Sequence, residues 1–150
     1  MRLVIQRVGR ASVSVDGKLI SSIKNGLMIL VGVCAEDTDE DIHYLVKKVI
    51  NLRIFNDDNG VTNISVLDTG YDILAVSQFT LYASTKKGNR PSYIKAAEPH
   101  IARPLYDIFC KELSNALGKE IGKGVFGAHM DVELVNDGPV TILIDSRNKE

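Results

Sequence analysis

The chain has few of the residues that build metal sites and disulfide frameworks. Among its 150 residues there are two cysteines, three histidines and no tryptophan. Cys34 and Cys110 lie far apart in apolar surroundings and outside any Cys-x-x-Cys pair, so we expect two buried free thiols. The histidines are scattered along the chain, which argues against a metal site. They are His43, His100 and His129.

Long apolar runs and an excess of positive charge are also missing. No run approaches the roughly 20 apolar residues that a membrane-spanning helix needs. Charged and apolar residues alternate too early in the chain for a signal peptide, so we expect a cytoplasmic protein. A net charge of −1 excludes a protein that grips long stretches of nucleic acid by their phosphates. A protein that holds only the end of a nucleic acid through local contacts is compatible with this charge.

What is present is an ordinary globular composition, 45% hydrophobic and 25% charged, at a length suited to one domain over residues 1–150. The apolar pattern predicts two amphipathic helices. One begins near Thr38, with a capping box to Asp41, and the other covers residues 99–117. Pro104 should lie in or close to the first turn of the second helix, and Gly118 should end it. The predicted strands are residues 2–8, 11–15, 18–23, 27–33, 52–55, 73–81, 130–135 and 140–144. Many strands with two such helices predict sheets covered on one side by helices.

The run Ser77-Gln78-Phe79-Thr80-Leu81 places hydroxyls and an amide in an apolar strand pattern. In a pleated strand Ser77, Phe79 and Leu81 share one face, and Gln78 and Thr80 share the other. Thr80 could then donate to a developing oxyanion or position a water molecule, and Phe79 could offer its ring to an adenine. A strand end with ordinary edge polarity is the alternative.

The run Asn136-Asp137-Gly138-Pro139-Val140-Thr141 joins the most permissive residue to the most rigid one. One interpretation is a plain connection between strands with a trans bond at Pro139. The other is a stiff turn whose carbonyls point into a pocket. If the backbone of this turn lay where an L side chain must go, it would reject L-aminoacyl groups by steric overlap and admit D-aminoacyl groups.

Two further segments could contact a ligand. The basic loop with Lys86, Lys87 and Arg90 is either a solvated loop or a clamp for one or two phosphates. The glycines of residues 124–127 allow a ligand to approach the backbone closely. The chain has no Gly-x-Gly-x-x-Gly fingerprint between a strand and a helix and no Gly-x-Ser-x-Gly elbow. A Ser/His/acid catalytic triad whose members come together only in the fold remains an alternative.

Taken together and in this order, the motifs resemble those of the D-aminoacyl-tRNA deacylases, the bacterial and eukaryotic type once called D-tyrosyl-tRNA deacylase. The resemblance runs over essentially the full length. Its motifs are Val4-Ile5-Gln6-Arg7-Val8, Arg10-Ala11-Ser12-Val13, Leu52-Arg53-Ile54-Phe55, residues 77–81, Gly88-Asn89-Arg90-Pro91-Ser92, Phe126-Gly127-Ala128 with Met130, and residues 136–141.

The resemblance implies a compact single α/β domain. It would have two mixed β-sheets in a barrel-like or sandwich arrangement, with two main helices packed on one side. It implies a homodimer in which a cis Gly138-Pro139 reaches into the partner's site and selects the chirality of the substrate. It implies no metal or organic cofactor and no association with membranes.

The implied reaction is hydrolysis of the ester between a D-amino acid, or glycine mischarged on tRNA(Ala), and the 3′-terminal adenosine of a tRNA. The implied catalytic residues are Ser77, Gln78, Phe79 and Thr80. The implied substrate-binding residues are Phe126, Gly127, Ala128, Met130, Lys86, Lys87 and Arg90, with Gln6 and Arg7 in support. Two positions depart from the family pattern. His129 stands where family members commonly have an acidic residue, and Thr62 stands where they often have Met. Both lie outside the two main motifs, so they affect pocket polarity or packing rather than the reaction.

The resemblance leads to a mechanistic hypothesis in which backbone N–H groups near Phe79 and Thr80 stabilise the oxyanion. The 2′-hydroxyl of the substrate's terminal ribose orients the attacking water. Thr80 as a covalent nucleophile is the competing version. Two other classes of protein also stay open, namely a module that binds a tRNA end without hydrolysing it and a general esterase or peptidase.

Overall fold

A computed structural model describes residues 1–149. It contains a six-stranded mixed sheet, a two-stranded sheet, three α-helices and one 3-10 helix. The strands are β1 Arg2–Val15, β2 Lys18–Ile23, β3 Gly26–Gly32, β4 Phe55–Asn56, β5 Thr62–Ile64, β6 Asp72–Ser77, β7 Gly122–Lys123 and β8 Asp131–Asp145. The helices are α1 Asp39–Asn51, α2 Val66–Thr69 and α3 Pro99–Leu117, and the 3-10 helix is Phe79–Tyr82.

The long strand β1 organises the large sheet. Asp16 and Gly17 both have positive φ, 50° and 72°, as a two-residue Asp-Gly hairpin turn requires. Beyond this turn, β2 and then β3 pair antiparallel with one edge of β1, and β8 pairs along almost all of its other edge. Strand β6 adds parallel to β3, and β7 adds parallel to β6. The sheet curls until β7 meets β2: a Cβ added at Gly122 would lie 2.5 Å from Ser21 Oγ. The sheet is therefore nearly a barrel.

Two apolar clusters fill the molecule. The smaller one lies inside the curled sheet and includes Val13, Met28 and Leu74. The larger one lies between the sheet and the helices α1 and α3, with Ile5, Ile29 and Phe109 fully buried. Both main helices therefore pack on one side of the sheet, and the predicted compact α/β fold is confirmed. Only the large sheet is mixed, because the second consists of the short antiparallel pair β4 and β5.

The helix boundaries follow their local sequence signals. Thr38 and Asp41 form the predicted capping box at the start of α1, with Asp41 Oδ2 accepting from the Thr38 N–H at 2.9 Å. Gly118 ends α3 in the left-handed region at φ 76°. Pro104 is the sixth residue of α3, in its second turn and close to the predicted position. It is exposed, so the hydrogen bond that its ring removes lies on the solvent side.

Six of the eight predicted strands need correction. Residues 2–8 and 11–15 form one strand, and residues 131–135 and 140–144 form another, because β1 and β8 pair with each other across both predicted gaps. Irregular register between Gln6 and Arg10 accommodates the turn residues inside β8. Of the predicted strand 52–55 only Phe55 is in a strand. The predicted strand 73–81 ends at Ser77. No helix within residues 1–149 is long and apolar enough to cross a membrane.

Candidate active site

A cavity of about 670 Å³ lies where β3 and β6 end. Because these strands are parallel, their carboxyl ends meet at one edge of the sheet, which is where α/β folds commonly bind ligands. The start of α3 and residues 126–130 close the other sides. The lining includes Ser77, Gln78, Phe79, Phe126, Gly127, Ala128 and Met130. The structure thus brings seven of the predicted site residues to one cavity.

The chain turns into a 3-10 helix at the cavity, so the predicted strand faces for residues 77–81 are wrong. Gln78 N–H makes the last ladder bond, to Val31 O at 2.8 Å, and Gln78 O then accepts from Leu81 N–H at 3.3 Å. Gly32 explains the turn. A Cβ there would lie 2.9 Å from Leu81 Cβ and 3.3 Å from Gln78 O, so glycine lets the 3-10 helix fold back against β3.

The first N–H groups of the 3-10 helix remain available to a ligand. The hydrogen bonds of this helix begin with Leu81 N–H and end with Ala83 N–H, which donates to Thr80 O at 3.0 Å. The N–H groups of Phe79 and Thr80 precede them and have no partner within the helix. Beside them, Gln78 Nε2 donates to Thr80 Oγ1 at 2.5 Å. Thr80 itself stands next to the cavity and outside its lining.

Aromatic rings form the mouth of the cavity. Phe79 is 57% exposed and meets Tyr93 edge to face, with ring centroids 5.0 Å apart. Tyr93 directly follows the basic loop, whose base is closed by two backbone hydrogen bonds between Ser84 and Ser92 of 2.8 and 2.9 Å. The predicted phosphate contacts Lys86, Lys87 and Arg90 are exposed in this loop and outside the cavity lining. The loop is therefore tied to the rim of the cavity through Tyr93.

The rear wall is apolar and neutral. Tyr106 lies at 5.8 Å from Phe126 between ring centroids, and its hydroxyl donates to Ala75 O at 3.0 Å. Burial raises the pKa of Tyr106 well above its ordinary value, and burial likewise raises the pKa of the neighbouring Cys110 to about 11. Both groups stay protonated near neutral pH, so the wall supplies neither a thiolate nor a phenolate.

Besides its two tyrosines, the ionisable residues that line this cavity among the described residues are Glu98 and His129, both of them exposed. Glu98 Oε2 lies 3.4 Å from His100 Nδ1 on the surface. Within the part of the chain that the structure describes, neither Ser77 nor Thr80 hydrogen-bonds to a histidine. The arrangement offers backbone donors, hydroxyls and aromatic surface in place of a Ser-His-acid triad.

The second predicted motif lies elsewhere on the chain. Asp137, Gly138 and Pro139 form an exposed corner inside β8, with a cis bond between Gly138 and Pro139, and none of them lines the cavity. The buried Arg7 holds this corner. Its Nε lies 3.2 Å from Asp137 O and 3.0 Å from Asp137 Oδ2, and its Nη1 donates to Ile54 O at 2.6 Å.

Other neighbours complete the corner. Asn136 Oδ1 accepts from Val140 N–H at 3.2 Å, and Gln6 pairs with Thr141 in the ladder between β1 and β8. Within one chain, Gln6, Arg7, Gly138 and Pro139 thus form a group separate from the residues of the cavity.

Sequence reasoning missed several residues of the cavity, among them Tyr93, Ala97 and Tyr106. Tyr106 and Ala97 are buried, and their apolar context predicts only core positions. Tyr93 carried a usable signal, because an aromatic residue beside a basic loop is typical of nucleic-acid contacts.

Comparison with known proteins defines the family. A family model described as D-Tyr-tRNA(Tyr) deacylase matches residues 4–145. Proteins called D-aminoacyl-tRNA deacylase in Bacteroides thetaiotaomicron and Flavobacterium psychrophilum are 63% and 59% identical over 150 residues, covering 100% of each chain.

Two solved structures share the fold. One, titled c-Myc DNA Unwinding Element Binding Protein, has a TM-score of 0.92 at 43% identity and covers 97% of this chain and 98% of its own. The other is titled as a probable eukaryotic D-amino acid tRNA deacylase. It has a TM-score of 0.84 at 20% identity and covers 95% of this chain and 97% of its own. These matches identify the class of the protein as a deacylase, which is an enzyme of the hydrolase class. The chain belongs to the D-Tyr-tRNA(Tyr) deacylase family, as its motifs predicted.

Proposed function

We propose that the chain hydrolyses the ester joining a D-amino acid to the 3′-terminal adenosine of a tRNA, at the cavity beside the 3-10 helix. The observation that carries this proposal is the start of that helix. Two backbone N–H groups without helical partners, those of Phe79 and Thr80, stand beside a largely apolar cavity at the ends of parallel strands. Donors fixed in this way stabilise the oxyanion of acyl transfer.

The cavity and its rim fit the end of a charged tRNA. A volume of about 670 Å³ accommodates a nucleoside with its aminoacyl group. The exposed ring of Phe79 offers a stacking surface to the terminal adenine, and Lys86, Lys87 and Arg90 lie in the loop next to it, where the preceding phosphates would pass. Since the net charge is only −1, binding rests on these local contacts. We expect the enzyme to act in the cytoplasm, where charged tRNA is used.

In the proposed mechanism, water attacks the ester carbonyl and the oxyanion is held by the Phe79 and Thr80 N–H groups. The 2′-hydroxyl of the terminal ribose orients that water. Thr80 is a poor candidate for a nucleophile because its hydroxyl oxygen already accepts from the Gln78 amide, and an amide N–H cannot take up the hydroxyl proton. Gln78 instead holds the Thr80 side chain in place.

Chiral selection is proposed to come from a second copy of the chain in a homodimer. The Gly138-Pro139 corner is exposed, stands outside the cavity of its own chain and is held from behind by Arg7. Placed over the partner's cavity, its main chain would occupy the space of an L side chain and leave that of a D side chain. Glycine has no side chain to reject, so the same site should also deacylate glycyl-tRNA, including glycine mischarged on tRNA(Ala).

A comparison of three substrates tests the function. The wild-type protein is incubated with D-Tyr-tRNA, L-Tyr-tRNA and a small D-tyrosine ester, and released amino acid is measured. Hydrolysis of D-Tyr-tRNA alone is expected. Hydrolysis of all three would identify a general esterase, and hydrolysis of none would identify a module that only binds a nucleic-acid end.

The role of Thr80 is tested with Thr80→Ala. We expect the variant to keep turnover of D-Tyr-tRNA within about tenfold of wild type, because only the Gln78 contact is lost. A covalent nucleophile predicts a loss of several orders of magnitude instead. A D-Tyr-tRNA with a 2′-deoxy terminal adenosine tests the ribose; hydrolysis at the normal rate would contradict its proposed part.

A further inference from the structure

Arg2 connects the 3-10 helix to the end of β8, and no step of the mechanism above uses it. Its Nη1 donates to Leu81 O at 3.1 Å, and its Nε donates to Asp145 Oδ2 at 2.6 Å. The guanidinium carbon lies 4.5 Å from the centre of the Tyr82 ring. One planar group therefore contacts two consecutive residues of the 3-10 helix and a carboxylate on another strand.

The sheet register brings these groups together. Arg2 pairs with Gly32 on one side and with Asp145 on the other. Residues opposite one another in a ladder point to the same face. Because Gly32 has no side chain, Leu81 packs into the space above it, and the Arg2 side chain on the same face reaches the Leu81 carbonyl. The glycine admits the 3-10 helix, and the arginine holds it there.

Asp145 is itself fixed, which makes the contact rigid. Its Oδ1 accepts from Arg147 N–H at 2.9 Å and from Asn148 N–H at 3.3 Å, while Oδ2 accepts from Arg2. Burial alone would raise the pKa of Asp145, but the hydrogen bonds from Arg2 and Arg147 outweigh it and hold the pKa below its usual range. The carboxylate is therefore charged near neutral pH and keeps the guanidinium in one orientation.

We propose that Arg2 is a positioning residue that fixes the 3-10 helix so that the Phe79 and Thr80 N–H groups point at the reacting carbonyl. The inference rests on the proposed function of those N–H groups. A guanidinium is needed because its donors form a rigid fork that reaches a carbonyl and a carboxylate at once. A lysine ammonium has no such fixed geometry.

The test measures kcat and KM for D-Tyr-tRNA, with the thermal unfolding midpoint, for Arg2→Met, Arg2→Lys and Asp145→Asn. Arg2→Met should lower kcat by about tenfold to a hundredfold while KM changes by less than about threefold, since the donors shift but the tRNA contacts remain. Arg2→Lys should recover part of kcat. Lys48→Met is the matched control and should behave as wild type: Lys48 lines the same surface, its ammonium lies 5.6 Å from the centre of the Tyr44 ring, and it has no side-chain hydrogen bond or ion pair with any described residue.

Asp145→Asn keeps Arg2 and decides the question if Arg2→Met does not fold. It releases the guanidinium and should lower kcat several-fold without a matching rise in KM. A kcat equal to wild type in the folded variants, or a loss seen only in KM, would overturn the positioning role. If wild type itself fails to release D-Tyr, the proposed function fails, and that result is separate from any behaviour of the variants.

Discussion

Arg7 is a cation with almost no contact with solvent, and its guanidinium contacts oxygen atoms of two other residues. Nη1 donates to Ile54 O, and Nε lies within hydrogen-bond distance of both the carbonyl oxygen and the carboxylate of Asp137. Gly138 stands against it so closely that an added Cβ would lie 2.9 Å from Arg7 Nη2. A single buried side chain therefore sets the position of the corner on which chiral selection is proposed to depend.

Replacing Arg7 by methionine should lower the free energy of unfolding by about 1–3 kcal/mol, mainly because it leaves the buried Ile54 carbonyl without its partner, whereas the exposed Asp137 carboxylate is then solvated by water. Urea unfolding measures the loss. The same variant should release more L-Tyr from L-Tyr-tRNA, because the corner is no longer held. Arg53→Met is the control: Arg53 also donates to a main-chain oxygen, Asn63 O at 2.7 Å, but it is exposed. A loss as small as that of the control would contradict the anchoring role.

At the scale of elements, the 3-10 helix depends on a glycine in a strand far from it in sequence. Gly32→Ala should displace the helix, because the new Cβ would lie 2.9 Å from Leu81 Cβ, which is fixed close to the backbone. We expect kcat for D-Tyr-tRNA to fall at least about tenfold and stability to fall by about 1–3 kcal/mol. Gly9→Ala is a matched control, since the nearest atom to its added Cβ is 4.0 Å away. Equal activity in both variants would show that the 3-10 helix does not need this close approach.

The same contact shows why the sequence predicted some elements and not others. The helices α1 and α3 carry their own caps, and the hairpin carries its own Asp-Gly turn, so local pattern was sufficient. Residues 78–81 alternate in polarity as a strand would, and the close approach to Gly32 that accommodates the 3-10 helix exists only in the folded chain. Pairing with β1 likewise joined two predicted strands into β8. Tertiary contact decided both cases.

The site residues divide in the same way. The motif at residues 77–80 and the segment 126–130 could be assigned to one site because the family resemblance carried both. Tyr106 could not be found, because an aromatic residue on the apolar stripe of a helix predicts packing and nothing more. Arg2 carried no signal at all, since its contacts with Leu81 and Asp145 exist only once β1, β8 and the 3-10 helix meet.

At the scale of the whole molecule, one chain presents two separate halves of the proposed site. The cavity with its backbone donors lies at the ends of β3 and β6, and the Gly138-Pro139 corner lies on β8 outside that cavity. Among the described residues β8 pairs only with β1, so the other edge of β8 has no strand paired with it. The side chain of Leu143 in β8 is 75% exposed. An exposed edge strand of this length is an unusual surface for a monomer. A second copy of the chain is the proposed partner.

Complementation between two damaged chains tests this account most directly. Phe79→Pro removes a donor N–H and the ring at a helix position that tolerates proline, and Gly138→Ala disturbs the corner. The Phe79→Pro chain alone should hydrolyse D-Tyr-tRNA at least about tenfold more slowly than wild type, and the Gly138→Ala chain alone should hydrolyse L-Tyr-tRNA, which wild type rejects. The two chains are co-expressed with different tags, and the mixed dimer is isolated. If the corner acts across the dimer, one of its two sites is intact, so it should recover about half of the wild-type rate and still reject L-Tyr-tRNA. A mixed dimer that hydrolyses L-Tyr-tRNA as the Gly138→Ala chain does, or a chain that stays monomeric in light scattering while active, would contradict the account.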